Sequence, residues 1–512
     1  MLHADGSVTA ACTRQMSPTT HHVAVDLGAS SGRAVLGVVR DQKLHLEEMA
    51  RFRNGPVTVD GMLHWDVLGL YRSILDGLRK AGRHVGRLDS VGIDSWGVDF
   101  GLLDRDGRLF GNPVHYRDRR TDGIIDLVLR RIPAAELYRR TGIQVLPFNT
   151  LNQLVAAAGT AQLEAAATLL LMPDLFGYWL TGQVGAEVTN ASTTQLLSVV
   201  SGDWDADLMA ELGIRRELFP ALRHPGDPAG ELLPEVLRET ALDGPVRLTT
   251  VGSHDTASAV VAVPATSAHF AFIASGTWSL VGLELEQPVL TDASRRANFT
   301  NERGVDGTVR YLRNVMGLWL LQECVRAFEG GGESVGLSRL IAEAARLPGL
   351  RSLIDVDDPA FLPPGDMPRR IVSACAQSGE PLPETPAALV RCILDSLALA
   401  HRRTIEEARS LTGQDIDVVH LVGGGSHNQL LCQLTADALG LPVVAGPAEA
   451  TTLGNLLVQA RAHGAIAGGL TEMRAVVRAH SDCAIYQPSG AEDSWRRAEA
   501  RVAPRPAAES RQ

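Results

Sequence analysis

The sequence predicts an α/β protein made of two similar halves that flank a cleft. Two apolar strands joined by a tight turn of glycine and hydroxyl residues open each half, at Val23–Val39 and again at Phe270–Leu285. Each half then continues into alternating strand and helix patterns, which is typical of α/β folds. A chain of 512 residues and 54.7 kDa is long enough to bury two cores. A ligand held by both halves would lie in the cleft.

Composition excludes several classes of function. The net charge of −11 and the pI near 5.8 provide no positive field for a nucleic acid. No window reaches the roughly 18 apolar residues that a membrane helix needs, so we expect no membrane partner. The six cysteines form no CxxC pair, which argues against a zinc site and a disulfide framework. The pattern favours a reducing cytoplasm.

Four segments are predicted along the chain. Residues 1–20 form a flexible N-terminal extension, 21–263 an N-terminal domain, 264–485 a C-terminal domain and 486–512 a flexible tail. The first segment has neither a basic start nor a continuous apolar stretch, so it does not have the pattern of a signal peptide. Met16 just before the first strand is an alternative start of translation.

The two opening turns are candidate anion sites. They comprise Gly28–Gly32 and Ser275–Thr277. Glycine accepts positive φ and leaves room for backbone N–H groups to converge on a phosphate. One such turn is more often a plain hairpin turn, but two of the same build favour phosphate binding. Asp26, two residues before the first turn, would hold Mg²⁺ through water; its alternative role is a capped strand end.

Secondary structure in the rest of the first half follows from its apolar patterns. Residues 88–109 predict two strands flanking Trp96 and Gly97, with a hairpin turn at 104–107. Helices are predicted at 124–131 and 163–181.

The stretch "TTVGSHDTASAVVAV", residues 249–263, carries the strongest candidate for catalysis. It predicts a strand ending at Gly252 and a helix that begins at Asp255. An acidic residue there is favoured as an N-cap, and His254 beside it is more often structural. A carboxylate at this point is also what a phosphoryl transferase needs to orient a hydroxyl and accept its proton. The paired phosphate turns favour that second interpretation.

A third glycine turn lies in the second half. Residues 417–446 predict a strand, the turn Gly423–Gly425, a helix and a strand, and 450–464 predict one more helix. The turn lacks both the GxGxxG and the GxxxxGK[ST] patterns, so neither a Rossmann nor a P-loop nucleotide site is supported. Packing glycines and a nucleotide contact remain equally good explanations.

Several strings together resemble the FGGY family of carbohydrate kinases. They cover residues 23 to about 464 and include "VAVDLGASSGR", "GIDSWGVDFGLLD", "SHDTASAV", "SGTWSL", "NVMGLWLLQE" and "VGGGSHNQLLCQLTADALGLPVVAG". The resemblance implies a duplicated actin-like (ribonuclease-H-like) ATPase fold with two domains flanking a cleft that closes on sugar and ATP. Several of the strings differ from those of xylulose, glycerol and gluconate kinases of the same family. They imply ATP-dependent phosphorylation of L-rhamnulose at its primary 1-hydroxyl, in L-rhamnose degradation.

The resemblance also implies roles for single residues. Asp255 would be the catalytic base. The sugar would be contacted by Gly97, His254, Asp255, Thr256 and Asn314. ATP would be contacted by Ala29, Ser30, Ser31, Gly32, Arg33, Thr277, Gln322 and Gly424. If residues 314–323 are helical, Asn314 and Gln322 lie about two turns apart on nearby faces.

Other residues and functions stay open at this point. Four aromatic residues could enclose a deoxysugar or simply pack in the core: Trp96, Phe148, Trp278 and Trp319. Arg117, Arg119 and Arg120 fit a solvated loop, and Asp174 is ambiguous. The expected cofactors are ATP and Mg²⁺, and the expected assembly is a monomer or weak homodimer. The alternatives are a kinase for another ketose, such as L-fuculose or L-xylulose, and a nucleotide-gated binding protein without catalysis.

Overall fold

The computed structural model of the chain describes residues 19–330 and 336–502. Most of the predicted N-terminal extension and the last ten residues of the predicted tail lie outside these ranges. No helix in the described ranges is both long enough and apolar enough to cross a membrane.

The first half contains a six-stranded sheet, three small strand pairs and ten α-helices within the described residues. Its strands are β1 Thr20–Leu27, β2 Ser31–Arg40, β3 Lys43–Arg53, β4 Pro56–Val59, β5 Met62–Trp65, β6 Ser90–Ser95, β7 Phe100–Leu103, β8 Thr168–Leu171, β9 Ala186–Glu187, β10 Leu222–Arg223, β11 Pro228–Glu231 and β12 Arg247–Thr249. Its helices are α1 Val67–Val85, α2 Ile124–Arg131, α3 Ala134–Thr141, α4 Thr150–Ala156, α5 Ala161–Ala165, α6 Met172–Thr181, α7 Val188–Ala191, α8 Ala206–Leu212, α9 Pro234–Thr240 and α10 Asp255–Val261.

The second half contains a seven-stranded sheet and nine α-helices within the described residues. Its strands are β13 Phe270–Ser275, β14 Trp278–Leu285, β15 Thr300–Arg303, β16 Val309–Met316, β17 Val418–Val422, β18 Val443–Ala445 and β19 Ala484–Tyr486. Its helices are α11 Asp292–Arg296, α12 Trp319–Gly330, α13 Leu337–Ala345, α14 Met367–Ser378, α15 Pro386–Thr412, α16 Gln429–Leu439, α17 Ala450–Ala462, α18 Leu470–His480 and α19 Glu492–Arg501.

The two sheets share a six-stranded topology, to which the second sheet adds β15 at one edge. The strand order is β11-β12-β6-β1-β2-β3 in the first and β19-β18-β17-β13-β14-β16-β15 in the second. Each sheet is built around an antiparallel hairpin, β1-β2 or β13-β14. On one side of the hairpin lies a further antiparallel strand, β3 or β16. On the other side lie two parallel strands, β6 and β12 or β17 and β18, and then an antiparallel strand at the edge, β11 or β19. The predicted duplication of the fold is confirmed.

Helices α10 and α17 pack against each other between the two sheets. A Cβ atom on Gly454 of α17 would lie 1.8 Å from the backbone oxygen of Ser258 in α10, so only glycine permits this close approach. Helix α17 lies between β18 and β19 of the second sheet in the chain but contacts β1 and β6 of the first. The α10–α17 pair therefore joins the halves directly behind the cleft.

Three predictions of secondary structure are wrong in part. Residues 163–181 are not one helix, because strand β8 separates α5 from α6. Residues 314–323 are not helical throughout: Asn314 lies on β16 and Gln322 on α12. The described part of the predicted flexible tail, 486–502, contains α19, whose Trp495 side chain is buried against the core of the second half. A charged and alanine-rich sequence is typical of a frayed chain end, but the buried Trp495 side chain holds this helix against the core.

Candidate active site

A cavity of about 250 Å³ opens between the two halves. It brings together most of the predicted site residues: Asp26, Ala29, Ser30, Arg33, Gly97, His254, Asp255, Thr256, Thr277, Asn314 and Gly424. A second cavity of about 500 Å³ adjoins it, shares Ala29, Ser30 and Thr277 with it, and is lined by Gln322. The two glycine turns thus lie at the boundary between the 250 Å³ cavity and the 500 Å³ cavity.

Ser31 and Gly32 line neither cavity, and their contact with ATP stays a prediction. Both belong to strand β2 and pair with Arg53 and Phe52 of β3. A Cβ atom on Gly32 would lie 2.3 Å from the ring of Phe52, so this glycine is explained by packing. Only the turn itself, Gly28 to Ser30, faces the cleft.

The carbonyl groups of the first turn are bonded within the protein. Gly28 donates its N–H to the carbonyl of Ser31 at 2.9 Å. Asn54 donates its backbone N–H to Ser30 at 3.1 Å and its Nδ2 to the carbonyl of Gly28 at 2.8 Å. A carbonyl oxygen that points into the cleft would repel an anion. Because the carbonyls of Gly28, Ser30 and Ser31 accept hydrogen bonds within the protein, the turn suits a phosphate site. In the second turn Gly276 donates to the carbonyl of Trp278 at 2.8 Å, which closes the hairpin in the same way.

Asp26 is held from both sides. Its Oδ2 atom accepts from Nε of Arg33 at 3.0 Å and from Oγ1 of Thr452 at 2.9 Å. Within the described ranges no three His, Cys, Asp or Glu side chains converge as a metal site. Asp26 lines the cavity, and a single carboxylate there fits an Mg²⁺ ion that keeps most of its water and phosphate ligands.

Asp255 begins helix α10 at the base of the cavity. Its Oδ1 atom accepts from Oγ1 of Thr256 at 3.0 Å and lies 3.6 Å from Nε2 of His254. Removal from water raises the pKa of Asp255, and the negative charge of Asp26 raises it further, although His254 partly offsets both. A carboxylate with a raised pKa accepts a proton more readily than an ordinary aspartate.

His254 is positioned by a buried ion pair. Its Nδ1 atom lies 3.0 Å from Nη1 of Arg310 and 3.2 Å from Oε2 of Glu302. Arg310 is fully buried, and it also donates to the backbone carbonyls of Arg303 and Thr189. Burial raises the pKa of Glu302, but the charge of Arg310 and the hydrogen bond from His254 outweigh it and leave the pKa below its ordinary value. The imidazole ring is therefore fixed with Nε2 towards Asp255.

One wall of the cavity is aromatic. It consists of Trp96, Tyr116, Phe148 and Trp278. Phe148 lies 5.5 Å from both Tyr116 and Trp278, measured between ring centroids, and Nε1 of Trp278 donates to the Tyr116 hydroxyl at 3.3 Å. Three of the four aromatic residues left open by the sequence thus line the first cavity, while Trp319 lines the second.

Among the cavity residues not singled out from the sequence, seven have polar side chains: Tyr116, Gln144, Asn149, Thr193, Thr300, Glu302 and Thr451. Most lie on loops or on β15, and no local pattern brings them together. Asp94 is a different case, because it lies on the buried strand β6 beside Asp26. An aspartate inside an apolar strand is itself a signal of function or of a buried polar network.

The structure separates the three arginines of the loop "YRDRRT". Arg119 is exposed and pairs with Asp122, as expected for a solvated loop. Arg120 donates to Gln153 at 2.6 Å. Arg117 is buried, lies 4.2 Å from the ring centroid of Trp319 and donates to the carbonyl of Leu362 at 2.7 Å. For Arg117 and Arg120 the solvated-loop interpretation is wrong, because both side chains bond inside the protein.

Asp174, which the sequence left ambiguous, lies outside both cavities. Its Oδ1 atom accepts the backbone N–H of Glu187 at 3.2 Å.

Comparison with protein families gives two matches along the chain. Residues 21–262 match the model described as "FGGY family of carbohydrate kinases, N-terminal domain", and residues 271–463 match the corresponding C-terminal domain.

Relatives of high similarity carry one name. A protein named rhamnulokinase from Bacteroides thetaiotaomicron is 44% identical over 467 residues, which is 91% of this chain and 95% of the relative. Another rhamnulokinase, from Klebsiella pneumoniae, is 44% identical over 474 residues, or 92% of this chain and 95% of the relative.

Solved structures share the fold at low sequence identity. A gluconate kinase from Lactobacillus acidophilus has a TM-score of 0.77 at 16% identity and covers 94% of this chain and 96% of its own. A xylulose kinase from Rhodospirillum rubrum has a TM-score of 0.74 at 18% identity, with 94% and 97% covered. At this identity the likeness concerns the fold alone.

Proposed function

The chain belongs to the FGGY family of carbohydrate kinases, and on that premise we propose that it phosphorylates L-rhamnulose with ATP. The product would be L-rhamnulose 1-phosphate, a step of L-rhamnose degradation. The 44% identity to two rhamnulokinases over more than nine-tenths of the chain supports this choice of substrate.

One arrangement carries the proposal. Asp255, both phosphate turns and the aromatic wall surround a single cavity between the halves. A volume of about 250 Å³ suits a monosaccharide, and the adjoining cavity of about 500 Å³ gives room for a nucleotide. The aromatic wall suits a deoxysugar, because a methyl group gains by contact with apolar surface.

In this mechanism Asp255 orients the 1-hydroxyl of the sugar towards the γ-phosphate. As the bond between oxygen and phosphorus forms and the bond to the leaving ADP breaks, the hydroxyl proton passes to the Asp255 carboxylate. The backbone N–H groups of the turns, through Ala29 and Thr277, would bind phosphate oxygens and stabilise their charge. Mg²⁺, when bound, would add positive charge to the phosphates, held near Asp26 through water.

Closure of the cleft would complete the site. The first turn belongs to one half and the second to the other, so bringing the halves together aligns phosphate and sugar. Closure also excludes water, the obvious competing acceptor of the phosphoryl group.

We propose a monomer or a weak homodimer as the active form. Cys324, Cys375, Cys392 and Cys432 are buried thiols. Together with the need for ATP, they favour the cytoplasm as the place of action.

The test is release of ADP from purified protein supplied with Mg-ATP and one of five additions: L-rhamnulose, L-fuculose, L-xylulose, glycerol or no sugar. Strong stimulation by L-rhamnulose alone is expected. Equal activity with all the ketoses would support kinase activity but contradict the assignment of L-rhamnulose as the specific substrate. ATP binding without release of ADP under any condition would instead favour the non-catalytic binding protein. Analysis of the product by ³¹P NMR establishes which hydroxyl carries the phosphate.

A further inference from the structure

Gln144 connects the two halves inside the cavity. It lies in the loop between α3 and α4 of the first half and is 4% exposed. Its Oε1 atom accepts two hydrogen bonds from Asn314 on β16 of the second half, one from the backbone N–H at 2.9 Å and one from Nδ2 at 3.0 Å. Both residues line the cavity beside Asp255.

This contact fixes the direction of the Asn314 side chain. An asparagine amide can present either its oxygen or its nitrogen to a ligand. With Nδ2 turned to Gln144, the Oδ1 atom is left without a hydrogen-bond partner among residues 19–330 and 336–502. Asn314 therefore offers an acceptor to whatever occupies the cavity.

The loop that carries Gln144 is itself fastened at several points. Nδ2 of Asn149 donates to the carbonyl of Gln144 at 2.8 Å and to Oε1 of Gln195 at 2.9 Å. The next residue, Val145, donates its N–H to Oδ1 of Asn298 in the second half at 2.9 Å. The glutamine is thus held by backbone bonds that do not depend on a ligand, which is the condition for a preorganised site.

We propose that Gln144 is a positioning residue for the sugar: it locks Asn314 so that Oδ1 accepts a hydrogen bond from one hydroxyl of the ketose. This inference rests on the proposed function, because it assumes that the cavity binds a sugar. A ketose that lacks this hydroxyl, or carries it in the other configuration, leaves a buried acceptor unpaired, and that loss discriminates strongly between substrates. Gln144 acts only through Asn314 in this scheme.

Two substitutions of similar size separate this role from a structural one. Gln144→Met keeps the shape of the side chain but has no acceptor, so the Asn314 amide is free to rotate. We expect KM for the ketose to rise roughly tenfold, the effect of about one hydrogen bond, while kcat and KM for ATP stay within about twofold. Gln144→Glu keeps an oxygen that accepts from Asn314 but loses the Nε2 group that donates to the Asn314 carbonyl at 3.5 Å. It should therefore restore KM in part, to within about threefold of the wild type.

Gln195→Met is the matched control. Gln195 is a buried glutamine bonded to the same loop, but it lines neither cavity and does not contact Asn314. We expect it to lower the unfolding temperature as much as Gln144→Met does while leaving KM for the ketose within about threefold. An equal rise of KM in both variants would mean that the structure of the loop, and not the hydrogen bond between Gln144 and the Asn314 amide, determines sugar binding.

A double variant completes the test. In an Asn314→Ala background, Gln144→Met should raise KM for the ketose less than about twofold further, because the two residues act as one unit. Fully additive effects, or a rise in KM for ATP of the same size, would overturn the proposal. The variants are measured with the ketose that the wild type accepts best, by kinetics or by calorimetric binding. A wrong substrate assignment therefore shows in the wild type and a wrong role for Gln144 only in the variants.

Discussion

Asp26 on β1 and Asp94 on β6 are paired neighbours on adjacent parallel strands, and both are bonded to one helix. Thr452 of α17 donates to Asp26 at 2.9 Å, and Asn455, one turn later, donates to Asp94 at 2.5 Å. Burial raises the pKa of Asp94 well above its ordinary value, and the charge of Asp26 adds to the effect. Burial next to the charge of Asp26 thus disfavours the ionised form of Asp94, whereas Asp26 has Arg33 as a charged partner.

This pairing predicts that Asp94→Asn is tolerated. An asparagine keeps an oxygen for Asn455, carries no charge to be repelled by Asp26, and places an N–H group where Oδ1 of Asp94 now has no partner among the described residues. We expect kcat within about threefold of the wild type and an unchanged or higher unfolding temperature. Asp94→Ala should cost about 1–3 kcal/mol, because Asn455 loses its acceptor. Thermal unfolding and steady-state kinetics test both, and an inactive Asn variant would show that the charge of Asp94 is required.

Breaking the Glu302–Arg310 pair should affect both stability and sugar binding. Glu302→Gln leaves the buried guanidinium of Arg310 without its counter-charge, a loss of about 3–5 kcal/mol in comparable pairs. It also frees His254, so KM for the ketose should rise. The control is Glu284→Gln: Glu284 pairs with Arg474 at 2.8 Å, is similarly sheltered and lies outside the cleft. Denaturation and kinetics together separate the two effects, and identical changes of KM in both variants would contradict a role for the pair at the site.

Those parts of the site that consist of short sequence motifs could be predicted from the sequence. Residues that the fold brings together from distant positions in the chain could not. A few consecutive residues are enough to identify each of three features: the turn at Gly28, the turn at Gly276 and the helix that begins at Asp255. Glu302 and Gln144 have no such signal, since they reach the cavity only through sheet register and a loop fastened across the two halves.

Strand pairing also explains two differences between the expectations from the sequence and the structure. Residues 314–323 have an apolar pattern that suits a strand as well as a helix, and pairing of β16 with β14 decides for the strand up to Met316. Ser31 and Gly32 share the composition of the turn but belong to β2, where the ring of Phe52 leaves room only for glycine at position 32.

A buried histidine far from the cleft predicts a dependence of stability on pH. Burial lowers the pKa of His401 on α15 to about 3. Between this value and the ordinary 6.5 the unfolded chain binds a proton that the folded chain does not, so the stabilising contribution is present above pH 6.5 and is lost as the pH falls. His401→Leu should therefore reduce the fall in unfolding temperature between pH 7 and pH 5. An unchanged slope would mean that His401 does not titrate in this range in either state.

Activity should fall on the acid side at a higher pH than for an ordinary aspartate base. The base must be ionised, and burial together with the charge of Asp26 raises the pKa of Asp255. As the pH decreases through that raised pKa, Asp255 becomes protonated and kcat decreases. A pH profile of kcat at saturating substrates measures the acid limb. A limb at the ordinary aspartate value, near pH 4, would contradict the raised pKa.

The most direct measurement compares kcat of Asp255→Asn with that of the wild type under saturating Mg-ATP and L-rhamnulose. Asparagine keeps the oxygen that accepts from Thr256 but cannot take the proton of the sugar hydroxyl. The control Asp292→Asn alters another aspartate at the start of a helix, α11, outside the cleft. We predict a loss of about 100-fold or more for Asp255→Asn, with ATP affinity by calorimetry nearly unchanged and the control fully active. An Asp255→Asn variant that retained more than about a tenth of the wild-type kcat would contradict the assignment of Asp255 as the base.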